Sequence, residues 1–233
     1  MLYAMSDLHG EYQKYLAMLE KIKFNQKDTL YLLGDLVDRG PEPVKILQDI
    51  MQRPNVYPLL GNHEVMAIYI LKQLLVEVTE ETISQVDTYL MENIFIWQRN
   101  GGGVTLEQFQ ALPLRERRQL LEFMEGFGWY ETVDVGERAF LLVHAGLGNY
   151  RPGKKLEEYS LEELTMVRLD YQTQYFPDDS IYVLSGHTPT KLLGGKWEIY
   201  RSHNIHPSLT AGRPSAGDWP ASAWTLWRNF TCN

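Results

Sequence analysis

The chain reads as a single α/β domain. Three observations predict this class. Short apolar runs alternate with amphipathic stretches through the first half, two adjacent apolar runs around a turn come after a helical interruption, and 233 residues with 44% hydrophobic content suffice for one sizeable core.

Leu2 to Met5 is the first candidate buried strand. Glu11 to Lys23 carries Tyr12, Leu16, Leu19 and Ile22 at spacings of four, three and three, which line one face of a helix. Thr29 to Leu33 is a second apolar strand, Pro41 opens a helix containing Val44, Ile46, Leu47 and Ile50, and Val56 to Leu60 is a third strand. This βαβαβ order implies parallel pairing. His63 to Trp97 reads as largely helical, with apolar positions such as Leu71, Leu74 and Leu75 assigned to the core. Asn100-Gly101-Gly102-Gly103 is expected to be a hard break, and Leu114 to Met124 a further amphipathic helix, so residues 65–128 form a helical insert. Glu131 to Val135 and Ala139 to Val143 flank the turn-like Gly136-Glu137 as a hairpin; Ile181 to Leu184 and Trp197 to Tyr200 look like later strands.

The net charge of -8 argues against a broad nucleic-acid or anionic-membrane surface, since phosphate backbones are bound by clustered Lys and Arg. Any phosphate recognition must then be local. Cys232 is the only cysteine, which rules out an intrachain disulfide and makes a cytoplasmic setting the default. The N-terminus lacks a basic region leading into a long apolar run and no stretch reaches eighteen apolar residues, so neither a signal peptide nor a membrane span is expected. Nothing in the sequence speaks to oligomeric state.

Ligands of α/β sheets bind at the carboxyl ends of strands. Five of the predicted strands lead into segments of one kind: Asp7-Leu8-His9-Gly10, Gly34-Asp35-Leu36-Val37-Asp38-Arg39-Gly40, Gly61-Asn62-His63-Glu64, His144-Ala145-Gly146 and Gly186-His187-Thr188. Five strand ends present Asp, Asn or His beside Gly, and four of the six histidines stand there. Such oxygen and imidazole donors suit manganese, iron or zinc, and the glycines permit tight turns, so a metal site is the economical explanation.

These five motifs, in this order, resemble the signature of the phosphoprotein phosphatase family, and the small bacterial serine/threonine phosphatases in particular. The resemblance covers about residues 2–203. It implies a calcineurin-like metallophosphoesterase fold, a central mixed β-sandwich flanked by helices. It also implies two divalent metal ions, most simply manganese, with iron or zinc as alternatives. Asp7 and His9 would hold one metal, Asp35 would bridge both, and Asn62, His144 and His187 would complete the second. A hydroxide shared by the metals would attack the phosphate in line. His63 would protonate the leaving oxygen, with Asp38 fixing its ring and favouring the imidazolium, while Arg39 clamps the phosphate through its planar fork. Arg168 is best placed by order as a second phosphate-binding arginine, ahead of Arg151. Asn100-Gly101-Gly102 resembles a segment that helps wall the site in bacterial members, and Ser6 stands where glycine is commoner.

Blander readings compete for each residue. Gly34 and Gly61 could be ordinary strand-to-helix punctuation, His144 a hydrogen-bonded core histidine, Asp38 and Arg39 a surface pair, and Arg168 a solvated helix residue. The joint occurrence of the motifs favours the metal site. The implied substrate is a phosphoprotein carrying phosphoserine or phosphothreonine. The alternatives are symmetrical cleavage of diadenosine tetraphosphate or another nucleotide, or an inactive phosphate-binding module.

After His203 the likeness stops. Residues 204–233 read as an atypical tail outside the 1–203 domain: Pro207, Pro214 and Pro220 each remove a ladder donor, and Val and Ile are absent after Ile205. A one-base shift of reading frame from Pro207 onward permits Ile-Ala-Asp-Cys-Gly-Pro-Thr-Phe-Gly-Gly and then an apolar run ending in a stop codon, which resembles the family's closing strands. The tail is therefore expected to be structureless and to have arisen by frameshift.

Overall fold

The computed structural model describes residues 1–75, 88–176, 181–194, 205–207 and 227–228. The βαβαβ unit comprises β1 (Leu2–Met5), α1 (Tyr12–Lys21), β2 (Thr29–Leu32), α2 (Pro43–Ile50) and β3 (Val56–Pro58). The insert contributes α3 (Asn62–Leu74), α4 (Thr88–Trp97), a π-helical turn (Gln98–Gly102), α5 (Gly103–Ala111) and α6 (Leu114–Glu125). Beyond it come β4 (Tyr130–Val135), β5 (Arg138–Val143), α7 (Leu161–Thr165), β6 (Ile181–Ser185), β7 (Ile205–Pro207) and β8 (Trp227–Arg228).

Two four-stranded sheets result, with strand orders β3-β2-β1-β8 and β4-β5-β6-β7. The parallel pairing expected of the first unit holds, Leu2 facing Thr29 and Leu30 facing Val56. Both sheets are mixed, because β8 runs antiparallel to β1 and β4 antiparallel to β5.

Period-two alternation sorts the strand side chains into layers. Ala4, Leu33, Leu59, Phe140, Leu142 and Leu184 meet between the sheets. Tyr3, Met5, Leu30 and Leu32 turn the other way, onto the buried faces of the helices, with Tyr15, Ile46 and Ile70 among their neighbours. Leu141, Val143 and Val183 cover the outer face of the second sheet with Leu147, Tyr159 and Leu164. The fold is thus the expected sandwich flanked by helices.

Several expectations need adjustment. The second helix starts at Pro43, not Pro41, and β3 stops at Pro58. Leu59 N–H still donates to Leu32 O at 2.7 Å, and the residue forms an isolated bridge with Gly128. On α1 the buried stripe is Tyr15, Met18 and Leu19, with Tyr12, Leu16 and Ile22 packed at its margin. Leu71 is core as expected, but Leu74 is exposed. The Asn100 to Gly103 break is confined to Gly101, whose φ of 101° is open to glycine; the chain resumes helical geometry at once. The tail is not wholly structureless, since β7 and β8 occupy an edge of each sheet. Pro207 fits there because an edge strand need not donate on both sides. The expected strand Trp197 to Tyr200 lies outside the described residues. No helix among the described residues is long and apolar enough to cross a membrane.

Candidate metal centre

The strand ends converge in a cluster of left-handed backbone. Asp7 (φ 55°), His9 (41°), Asp35 (54°), Asp38 (70°), Arg39 (66°) and His187 (62°) all take positive φ, a region that side-chain-bearing residues enter at a cost of about 1 kcal/mol or more each. Such conformations persist where the surroundings impose them. Asp7 N–H donates to Gly34 O at 3.0 Å, His9 N–H to Asp35 O at 2.8 Å and Gly10 N–H to Leu36 O at 2.9 Å, zipping the first two loops together. The carboxylate of Glu64, wholly buried on α3, accepts the N–H groups of Asp35 (2.7 Å), Leu36 (2.7 Å), Val37 (3.1 Å) and Gly61 (2.9 Å). One side chain therefore holds the second loop and the start of α3 in fixed relation. Gly61 leaves no room for anything larger, because a Cβ there would strike the Asp35 carboxylate.

Asp35 lies at the centre. Its Oδ1 is 3.3 Å from His144 Nε2, and its Oδ2 is 3.6 Å from His9 Nε2 and 3.9 Å from His63 Nε2. The ligand atoms of His9, Asp35 and His63 lie within 4.8 Å of one another, as do those of Asp35, His144 and His187. Asn62 Oδ1 stands 3.1 Å from His144 Nε2. Asp7 adjoins the second cluster, its Oδ2 accepting His187 N–H at 3.0 Å and also contacting Ser6 Oγ. The rings are oriented from behind: His9 Nδ1–H faces Val37 O at 3.1 Å and His144 Nδ1–H faces Leu33 O at 2.6 Å, which leaves each Nε2 lone pair toward Asp35.

His63 is tied differently from the other imidazoles. Its Nδ1 meets Asp38 Oδ2 at 2.6 Å, and its Nε2 receives an N–H of Arg39 at 2.7 Å. The difference lies at Nδ1, which meets a carboxylate in His63 but a backbone carbonyl in His9 and His144. Arg39 also donates to His9 Nε2 at 2.9 Å, so its fork spans the mouth of the first cluster. Asp38 is held by Trp97 Nε1–H at 2.8 Å and Thr105 Oγ1–H at 2.6 Å, all three residues being buried. The π-helical turn completes this wall: Gly101 O accepts Arg39 N–H at 3.0 Å and Asn100 O accepts Arg39 Nε–H at 3.3 Å.

Burial sets the protonation of the site. Desolvation, then the neighbouring Asp7 and Glu64 charges, push the Asp35 carboxyl well above the usual carboxylate range. Desolvation takes His9 well below its ordinary value, and takes His63 and His187 down to about 3. Asp38 rises to about 6, mainly through burial, although Thr105 and Trp97 pull the other way. Asp38 is expected from the sequence to favour an imidazolium at His63, and burial acts against that. Loss of water around His63, and then the Arg39 guanidinium, favour the neutral ring, while the Asp7 carboxylate pulls the other way. Neutral imidazoles beside closely packed, buried carboxylates are the donors that divalent first-row metals take, and carboxylates so placed need positive charge to stay ionised. The donor set fits a divalent ion in each of the two clusters.

Two sequence candidates stand apart from this core. Arg168 is exposed, in a loop rather than a helix, yet close enough for its charge to lower His187. Arg151 is spent on the surface, paired with Glu158 at 3.3 Å. Sequence reasoning gave no role to Glu64, Trp97 or Thr105. Glu64 was visible as part of Gly61-Asn62-His63-Glu64, whereas Trp97 and Thr105 act on Asp38 from 59 and 67 residues away, with no local signal.

The family model for calcineurin-like phosphoesterases matches residues 2–219. A symmetrical bis(5'-nucleosyl)-tetraphosphatase of Wigglesworthia glossinidia brevipalpis is 40% identical over 65 residues, 27% of this chain and 24% of that protein. The chain thus matches only about a quarter of the length of the curated relatives of this kind. An asymmetrical bis(5'-nucleosyl)-tetraphosphatase, PrpE of Geobacillus sp. (strain WCH70), is 26% identical over 215 residues, 80% of this chain and 78% of that protein. Among solved structures, one provisionally assigned as a diadenosine tetraphosphatase superposes with a TM-score of 0.58 at 17% identity, covering 90% of this chain and 82% of that one, which is a likeness of fold.

Proposed function

The chain belongs to the calcineurin-like phosphoesterase family, a family of metal-dependent hydrolases, and on that premise we propose that it cleaves the phosphoanhydride bridge of a dinucleoside tetraphosphate. The observation that carries the chemistry is the placement of Asp35, with one oxygen toward His144 and the other toward His9, beside the Arg39 fork. The substrate class is supported by the relatives matched, named for tetraphosphate cleavage over most of their length in one case. The nucleotide alternative therefore stands ahead of the serine/threonine protein phosphatase reading.

In this reading Asp7 and His9 would hold one cation, Asp35 would serve both, and Asn62, His144 and His187 would complete the second; Asp7 stands beside His187 while its charge also bears on His9. Manganese is the ion we propose. Two such cations neutralise phosphate oxygens and make water a better nucleophile. Arg39 turns its planar fork to a bridging phosphate, and Arg168 lends positive charge from the side of His187. His63, braced by Asp38, would deliver a proton to the departing oxygen once bound phosphate draws the Arg39 fork away and its negative charge favours the imidazolium. All of these groups fall within residues 1–203, the proposed catalytic domain, and the chain's one cysteine, Cys232, lies beyond it and agrees with the cytoplasmic setting we propose.

Incubation with diadenosine tetraphosphate and manganese, and chromatography of the products, tests the proposal. Two ADP denote symmetrical cleavage, and AMP with ATP asymmetrical cleavage. Intact dinucleotide alongside phosphate release from phosphoserine or phosphothreonine peptides would return the chain to the protein phosphatases.

A further inference from the structure

Two helices of the insert meet the site at one end and carry exposed apolar side chains away from it. Asn62, whose side chain faces His144, begins α3; Tyr69 comes seven residues later, on the same face and about 10 Å along the axis. On α4, Tyr89 and Ile96 are likewise seven apart. The Ile96 carbonyl accepts Asn100 Nδ2–H at 2.9 Å, and Asn100 O in turn accepts Arg39 Nε–H at 3.3 Å, so this stripe ends at the phosphate-binding arginine. The two stripes join at their far ends, where the Tyr69 and Tyr89 rings pack edge to face at 6.2 Å. Tyr69 is 37% exposed, Tyr89 62% and Ile96 50%, and it is as one patch, not as scattered side chains, that they point to a binding surface.

We infer that this aromatic wall is the nucleoside subsite, which stacks one base of the dinucleotide while the phosphate chain lies at Arg39 and Asp35. The inference rests on the tetraphosphatase reading. Tyr69 lies a rise of about 10 Å along the helix from Asn62, which leaves room for ribose and linking phosphates between the scissile phosphorus and the base. A phenol face with an aliphatic neighbour recognises the π-face of a base without requiring base-specific hydrogen bonds. The wall is uncharged, so it adds no attraction for phosphate; that falls to Arg39 and Arg168. The predicted consequence is selection for a nucleoside-bearing substrate over a bare polyphosphate.

The test compares kcat/KM for diadenosine tetraphosphate with kcat/KM for inorganic tetraphosphate in wild type, Tyr89→Ala, Ile96→Ala and Tyr89→Trp. The ratio should fall about tenfold in Tyr89→Ala and severalfold in Ile96→Ala, within the range a lost stacking contact produces, and Tyr89→Trp should restore it. A variant that merely folds poorly would lose both activities together and leave the ratio in place. Wild-type cleavage of the dinucleotide with an unchanged ratio in the alanine variants would overturn the subsite and leave the tetraphosphatase reading standing. Wild-type enzyme that hydrolyses phosphopeptides but not the dinucleotide would overturn both.

Discussion

The indole N–H of Trp97 donates at 2.8 Å to Oδ2 of Asp38, the same carboxylate oxygen that meets His63 Nδ1 at 2.6 Å. The insert thereby braces the group that aims the proposed acid. Trp97→Phe keeps the apolar ring and removes the donor, leaving Asp38 with Thr105 alone on its carboxylate from this side. The expected outcome is a kcat about tenfold lower for alkyl phosphates, with a smaller loss for nitrophenyl phosphate. Equal losses for both substrates would reduce Trp97 to a packing residue.

His63→Asn should leave cation content intact and lower kcat for alkyl phosphates by roughly 10² to 10⁴, the usual contribution of a positioned general acid. Nitrophenolate leaves without much help, so the aryl substrate should suffer less. A loss that does not depend on the leaving group, measured across several phosphoesters, would remove His63 from proton delivery.

Glu64 accepts four backbone N–H groups from within the interior. Glu64→Ala should destabilise the chain by on the order of 3 kcal/mol or more, since it strands several buried donors at once. Glu64→Gln, which keeps the acceptor oxygen, should cost less. Denaturant midpoints that are the same for wild type and alanine variant would mean that these loops are held by something else.

Much of this was legible in the sequence because each proposed ligand sits where a strand ends, and strand ends are marked by local apolar runs and glycine. Asp7, Asp35 and His144 stand just beyond Leu2–Met5, Thr29–Leu32 and Arg138–Val143. What the sequence hid was long-range. Trp97 looks like one more apolar helix residue until the fold brings it to Asp38, and desolvation of His63 comes from burial that no neighbouring residue announces. The edge strands failed for another reason: Trp227–Arg228 is two residues long and stands only because β1 offers it an unpaired side.

The loop after His144 is tied down by Glu163, whose carboxylate accepts Lys154 Nζ–H and Asn149 Nδ2–H, each at 2.8 Å, and Ser160 N–H at 2.9 Å. The Lys154 hydrogen bond, then that of Ser160, hold its carboxyl down from the usual 4.5 to about 2. A depressed pKa contributes stability that is fully present above the unfolded value and is lost as pH falls toward the folded one. Between about pH 5 and pH 2, wild-type thermal midpoints should therefore decline more steeply than those of Glu163→Gln. Parallel curves would show that this network is not coupled to folding.

The central claim is that Asp35 serves two cations at once, and the most direct measurement is the divalent-metal content of purified wild-type and Asp35→Asn protein, determined alongside turnover. Two ions per wild-type chain are expected, with both ions and phosphoesterase activity lost together in Asp35→Asn. An Asp35→Asn protein that keeps two ions and near-native turnover would contradict the account.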